Sequence, residues 1–195
     1  ERAKNRRSTS MRPNLHCFIF SPPGIVFYRD SYSAEDAGIL PEIPLAALFP
    51  KLHRSLSIRT RCFQKYPDIQ VIIDLHRDGV GNKVHRLTSI KGKRTAQVMF
   101  FNGLSRNQKG NIAYLHNDNL QANLAFSLQM KIACMKTYPG FAKPIYLKNY
   151  RYNLHMKQRS LLIELGNENN TVEEAKNAMT PLADVLHQVL SGKNK

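Results

Sequence analysis

The chain has 195 residues, with 29 Lys and Arg against 14 Asp and Glu, three cysteines, ten prolines and no tryptophan. A chain of this length buries roughly 70% of the surface that its unfolded form exposes, so it folds without a disulfide or structural metal, and any metal serves chemistry. No apolar run approaches the roughly 18 residues that cross a bilayer, no secretory apolar region follows the arginine-rich start, and Cys17, Cys62 and Cys134, widely spaced and without CxxC spacing, read as buried thiols.

The net charge of +15 is uneven. Residues 79–159 hold fourteen Lys or Arg and a single acid, Asp118. Such a field favours polyanions, whether nucleic acid, anionic lipid or an acidic cell-wall polymer, and does not choose among them; plain solubility is the competing reading. Nucleic acid would call for basic residues interleaved with stacking aromatics. Only the stretch from Lys148 to Tyr152 hints at that.

Residues 1–65 hold six prolines and no sustained hydrophobic period, and we expect a divergent or disordered N-terminal region there. Within it, Leu15 to Phe20 and Ile25 to Tyr28 suggest short strands around the Pro22-Pro23-Gly24 turn. From Tyr66 the local signals agree with one another. Ile69 to Leu75 is a β-branched run that predicts a buried strand with His76 at its C-terminal end. A basic stretch, 79–94, follows, and Ala96 to Phe101 predicts a second strand closed by a turn at Asn102-Gly103. Asn117 or Asp118 is placed to cap a helix in which Leu120, Leu124, Leu128, Ile132 and Met135 recur at helical spacing and read as its core stripe. Tyr138-Pro139-Gly140 stops it, Pro144 to Lys148 is a short strand candidate, and Ser160 to Leu165 is a third buried strand. Thr171-Val-Glu-Glu174 is a capping box that opens a last helix; Pro181 predicts a kink or a restart capped by Thr180. Buried strands separated by helices give an α/β fold, in which ligands bind beyond the carboxyl ends of the strands.

Two strands deliver polar groups to that edge: Asp74, His76, Arg77 and Asp78 from the first, Glu164 from the third. A neutral imidazole suits zinc, and a neighbouring carboxylate such as Asp78 would fix its tautomer. Glu164 lies among Leu161, Leu162, Ile163 and Leu165, where an unpaired carboxylate costs several kcal/mol by order of magnitude, so it requires a cation, hydrogen-bond donors or a proton. A metal-bound water would meet that need, with the glutamate carrying its proton to a leaving amine. The bland readings stand beside this: His76 merely hydrogen-bonds at a strand end, and Glu164 pairs with Arg77 or Arg151. His85, His116, His155 and His187 read as surface or packing residues.

Several segments occur in an order that resembles the sporulation stage II protein P family: Asp74-Leu-His-Arg-Asp-Gly79, Ala96-Gln-Val-Met-Phe-Phe-Asn-Gly103, Asn123-Leu-Ala-Phe126, Tyr138-Pro-Gly140, Arg151-Tyr-Asn153, Leu161-Leu-Ile-Glu-Leu-Gly166 and Asn170-Thr-Val-Glu-Glu-Ala175. The resemblance spans about 66–190 and implies a zinc-dependent N-acetylmuramoyl-L-alanine amidase domain over 66–195. The expected fold is a mostly parallel, mixed sheet flanked by helices. It implies that His76 binds zinc, that Glu164 is the catalytic carboxylate, and that Arg77, Asn102, Asn123, Arg151 and Asn153 contact substrate. It further implies cleavage of peptidoglycan stem peptides as amidase and endopeptidase during forespore engulfment. The expected partners are peptidoglycan, a glycan-cleaving enzyme and a membrane anchor protein, with no nucleic acid. The expected location is extracytoplasmic and membrane-associated, although the chain shows no signal or transmembrane segment. Similar proteins carry His-Thr-His followed by Glu on an earlier strand; here the corresponding stretch, Gly24 to Asp36, has no histidine. Asp30, Glu35, Asp36, His16 and His53 offer donors at other spacings. Because catalytic zinc normally has three protein ligands, the alternative is a non-catalytic, wall-binding derivative that has lost its metal.

Overall fold

The computed structural model describes the backbone of residues 16–20 and 25–29 and, with side chains, residues 67–81 and 83–192. The other positions named above, including Asp30, Glu35, Asp36, His53 and Cys62, lie outside the described residues. So do the side chains of His16 and Cys17.

Ten strands and two α-helices follow one another along the described residues, with a short 3-10 turn at Ala113–Leu115: β1 His16–Phe20, β2 Ile25–Arg29, β3 Val71–Asp78, β4 Leu87–Ile90, β5 Lys93–Ala96, β6 Val98–Gly103, β7 Arg106–Asn107, β8 Gly110–Asn111, α1 Leu120–Thr137, β9 Tyr146–Lys148, β10 Ser160–Asn167 and α2 Val172–Leu190. Six of the strands form one sheet in the order β1-β2-β3-β10-β6-β9. The pairs β2–β3, β3–β10 and β6–β9 are parallel, while β1–β2 and β10–β6 are antiparallel, so the fold is α/β with a mixed, mostly parallel sheet. No helix of the described residues is long and apolar enough to cross a membrane.

Alternation along the strands sorts side chains between two faces. Val71 and Ile73 of β3, Val98 and Phe100 of β6, and Leu161, Ile163 and Leu165 of β10 face the helices and join Phe126 and Met130 of α1 and Leu182 and Val185 of α2 in the main core. The intervening residues form the other face, where Phe101, Leu154 and Leu162 make a smaller cluster. Asp74, His76 and Glu164 share that face.

Several sequence expectations change. The basic stretch 79–94 contains most of a hairpin, β4 with β5, because Lys91 and Gly92 take positive φ values of 50° and 75° and turn the chain back. Asn102 and Gly103 lie inside β6 rather than in a turn. The cap of α1 falls at Asn119, whose backbone N–H donates to Asn117 Oδ1 at 3.0 Å. The core stripe of α1 is also displaced: Leu128, Ile132 and Met135 are 51%, 44% and 59% exposed, whereas Asn123, Phe126, Ser127, Met130, Ala133 and Cys134 are buried. Both faces of this helix carry apolar residues. The buried one is selected by polar anchors, since Asn123 Nδ2 donates to the Leu154 carbonyl at 2.5 Å and Asn123 Oδ1 accepts from Ser160 N–H at 3.0 Å. Burial pushes the Cys134 thiol up to about 12, consistent with an inert packing residue.

The capping box of α2 forms as expected: Glu174 N–H donates to Thr171 Oγ1 at 3.1 Å, and Thr171 N–H to Glu174 Oε2 at 3.0 Å. Pro181 does not break this helix, which runs unbroken from Val172 to Leu190. Ala178, Leu182, Val185 and Leu186 bury one stripe on both sides of the proline, and that packing outweighs the missing backbone hydrogen bond.

Candidate active site

β3 and β10 run parallel, so their carboxyl ends lie side by side, and their register places Glu164 directly opposite His76. Neighbouring strands are about 4.8 Å apart, and paired residues project to the same face. On its other side Glu164 is paired with Met99 of β6. The two residues singled out for chemistry, 88 positions apart in sequence, therefore meet.

The carboxylate of Glu164 is in an unusual state. Its Oε2 is buried without a hydrogen-bond partner among the described residues. Burial pushes its pKa up to about 7; the charges of Asp78 and Asp74 act in the same direction, and His76 and Arg86 oppose them. A carboxyl group poised there exchanges protons readily near neutral pH.

His76 is held from behind by Asp74, whose Oδ1 is 2.6 Å from Nε2. Asp74 is 3% exposed, and its Oδ2 accepts a hydrogen bond of 2.8 Å from Asn153 Nδ2. This chain of contacts fixes the orientation of the imidazole. The sequence had suggested Asp78 for this task; instead Asp78 Oδ2 pairs with Arg86 Nη1 at 2.5 Å. Both aspartates share the face of His76 because all three are an even number of residues apart, and the nearer partner on each side decides between them.

Asn153 reaches Asp74 because the 150–153 loop crosses directly over β6. A Cβ on Gly103 would run into the Tyr150 carbonyl and come within 2.8 Å of the Tyr152 ring, so this crossing requires glycine. Tyr152 takes φ 52°, a left-handed conformation that costs a non-glycine residue energy. It brings the Tyr152 and Phe101 rings edge to face, with centroids 4.7 Å apart.

The remaining expected site residues are placed elsewhere. Arg77 projects to the opposite face, where Nη2 donates to the carbonyls of Asn167 at 2.7 Å and Asn170 at 2.6 Å. Asn102 is fully buried toward α1, donating to Ser127 Oγ at 2.7 Å. Asn123 is the internal anchor described above. Arg151 donates to the His116 carbonyl at 3.0 Å, away from Glu164. Neither Arg77 nor Arg151 pairs with Glu164; the arginine whose charge reaches it is Arg86. Sequence reasoning missed Arg86 and Tyr152. Alternation along β3 and β6 was the available signal for the placement of Arg77 and Asn102, because both are in phase with core-facing residues. No local pattern marked Arg86.

Among the described residues, no group of three or more His, Cys, Asp or Glu side chains is placed to hold a metal ion. His76 is the imidazole beside Glu164, and its Nε2 is engaged by Asp74. The described residues therefore do not fit a three-ligand zinc site, and the zinc ligation that the resemblance implies for His76 lacks companions there.

The family model described as Stage II sporulation protein P (SpoIIP) matches residues 52–187. The Stage II sporulation protein P of Bacillus subtilis (strain 168) is 30% identical over 127 residues, which are 63% of this chain and 29% of that protein. This chain thus spans under a third of the length of the curated relative it matches. Among solved structures, the chain is similar to the N-acetylmuramyl-L-alanine amidase Ami1 of Mycobacterium abscessus, at 18% identity and TM-score 0.40 over 70% of this chain and 60% of that one. It is also similar to the CwlD amidase of Clostridioides difficile, solved in complex with the GerS lipoprotein, at 13% identity and TM-score 0.45 over 83% of this chain and 71% of that one. With more than two thirds of its length inside the family match, and with the Asp74-to-Asp78 and Leu161-to-Gly166 segments paired at the heart of its sheet, the chain belongs to the Stage II sporulation protein P family.

Proposed function

We propose that this chain is a peptidoglycan hydrolase of sporulation, an N-acetylmuramoyl-L-alanine amidase and endopeptidase acting on stem peptides, with Glu164 as its proton-transferring group. The observation that carries this reading is the juxtaposition of Glu164, with a buried unpartnered oxygen and a pKa near 7, and His76, oriented by Asp74 and Asn153. In amide hydrolysis the ionised carboxylate takes a proton from the attacking water, and the resulting acid returns it to the leaving nitrogen. A pKa near 7 keeps both forms populated at neutral pH. Family membership supports the substrate class, and the basic stretch 79–159 suits an anionic wall. The glycan-cleaving partner, the membrane anchor protein and the extracytoplasmic location belong to this proposal on the same footing.

Zinc-activated water is the finer form of the proposal, and the described residues supply too few donors for it. The second reading, a wall-binding derivative that has lost its metal, rests on the lack of histidine from Gly24 to Asp36. Release of stem peptides from purified sacculi, measured together with zinc content, separates the two. Peptide release by the native chain that disappears in Glu164→Gln supports the hydrolase. Wall binding without release, in a protein free of zinc, overturns it in favour of the binder.

A further inference from the structure

The sheet face that carries Glu164 continues into an aromatic strip that proton transfer does not use. Phe101 lies two residues beyond Met99 on β6, and β9 pairs Tyr146 with Phe101 and Lys148 with Gly103. The Phe101 and Tyr146 rings meet edge to face with centroids 5.4 Å apart, and Tyr152 meets the same Phe101 ring at 4.7 Å. Phe101 is 8% exposed, but Tyr146 and Tyr152 keep 41% and 38% of their surface in solvent. Lys148 Nζ stands 4.9 Å from the centre of the Tyr146 ring. A hydrogen bond with Tyr146 is the main cause that holds its pKa above the usual lysine value, and Tyr152 and Asp78 act in the same direction. Among the described residues no carboxylate forms an ion pair with it.

The physical character of this strip selects a class of ligand. A buried phenylalanine supporting two half-exposed phenols offers apolar ring surface edged with hydroxyl groups. A saccharide matches it, having an apolar C–H face and a hydroxyl rim, whereas a purely apolar ligand would desolvate the polar edge of the strip without offering it hydrogen bonds. The exposed ammonium beside Tyr146 adds a site for an anion.

We propose that Phe101, Tyr146, Tyr152 and Lys148 form a saccharide subsite beside Glu164, in which a muramic ring already freed of its peptide lies against the tyrosines and its lactyl carboxylate meets the Lys148 ammonium. This rests on the peptidoglycan reading and names which part of the polymer each group holds. The subsite seats a stripped part of the glycan, so that the peptide branch of a neighbouring ring extends toward Glu164 and His76.

The test measures binding in the Glu164→Gln background, where no probe is cleaved. One probe is glycan strands stripped of peptide, which expose the lactyl carboxylate of each muramic residue; the other is neutral N-acetylglucosamine oligomers. Tyr146→Ala is expected to weaken both roughly tenfold, the scale on which loss of a single aromatic contact acts. Lys148→Met is expected to weaken the stripped glycan by a similar factor and leave the neutral oligomer unchanged. Lys176→Met, an exposed cation on α2 across the sheet, is expected to change neither. Unchanged binding in Tyr146→Ala overturns the sugar contact. An equal loss in Lys148→Met and Lys176→Met reports general charge attraction and overturns the carboxylate contact. A short single-stranded DNA that displaces the glycan at equal concentration assigns the strip to nucleic acid instead. Thermal melting of each variant at the native temperature certifies folding. Hydrolysis by the native chain is scored separately, so a working enzyme with unmoved binding sinks the subsite alone.

Discussion

Glu164 lies directly across from His76 in the parallel pairing of β10 with β3, so that a carboxylate and an imidazole distant in sequence share one edge of the sheet. The pairing gives Glu164 its neighbour, and burial gives it a raised pKa. Replacement by Gln keeps the shape and removes the titratable oxygen. Glu164→Gln is therefore expected to lower stem-peptide release by about 10²–10⁴, the range attributed to a positioned acid–base group. Wall binding in a sedimentation assay is expected to stay nearly unchanged, because the substitution keeps the shape of the side chain. Retained turnover rules out the role.

The same substitution has an opposite effect on stability. A carboxyl group whose pKa is about 7 when folded and near 4.5 when unfolded binds more protons in the native state between those values. Native stability from this group is thus full below pH 4.5 and lost as pH rises toward 7. Glu164→Gln escapes that loss. Its stability, followed by thermal melting, is expected to match that of the native chain near pH 4.5 and to exceed it above pH 7, by about 3 kcal/mol at the limit. A difference that does not vary with pH contradicts the burial of this carboxyl group.

Asn153 binds the far oxygen of a nearly inaccessible Asp74. Asn153→Ala leaves that oxygen short of a donor and loosens the orientation of His76. The expected cost is about 1–3 kcal/mol in stability, as for an unsatisfied buried acceptor. A fall in kcat with KM nearly constant would distinguish the loss of orientation from a loss of substrate contact. A rise in KM alone would assign Asn153 to binding.

Gly103 sits where the 150–153 loop presses on β6. Gly103→Ala forces the Tyr150 carbonyl and the Tyr152 ring to move, at an expected cost of about 1–3 kcal/mol typical of overpacking. Because the loop also carries Asn153, activity is expected to fall further than stability accounts for. Urea denaturation and kinetics on the same protein check this. A fully stable, fully active variant would show that the loop does not lie against the sheet.

Glu174 provides a contrast to Glu164. Burial pushes its carboxyl group up, but hydrogen bonds from His85, Thr171 N–H, Asn170 and Arg94 outweigh that and hold it at about 2. Its contribution is present above pH 4.5 and lost as pH falls toward 2. Glu174→Gln is expected to destabilise the chain at pH 7, where the capping box and the Arg94 contact both weaken, and to narrow its difference from the native chain below pH 3. Thermal melts at the two pH values measure it.

The elements that the sequence by itself determined are those whose signal is local. Val71 to Ile73 and Leu161 to Ile163 announce strands because β-branched and apolar runs pack on a pleated surface, and Thr171 with Glu174 announces a helix start because the two satisfy each other's backbone donors. His76 and Glu164 stood out for the same reason: each was a polar group in or beside an apolar run. Tertiary structure decided everything that required a choice between equivalent partners. It selected the Asn123 and Phe126 face of α1 over the Leu128 and Ile132 face, Asp74 over Asp78 as the partner of His76, and Arg86 over Arg77 as the arginine whose charge acts on Glu164. Apolar periodicity fixes that a face is buried, and charge fixes that a partner is wanted. Which face and which partner depends on strand order and on a loop held against Gly103, and those follow from contacts between residues that no local sequence window contains.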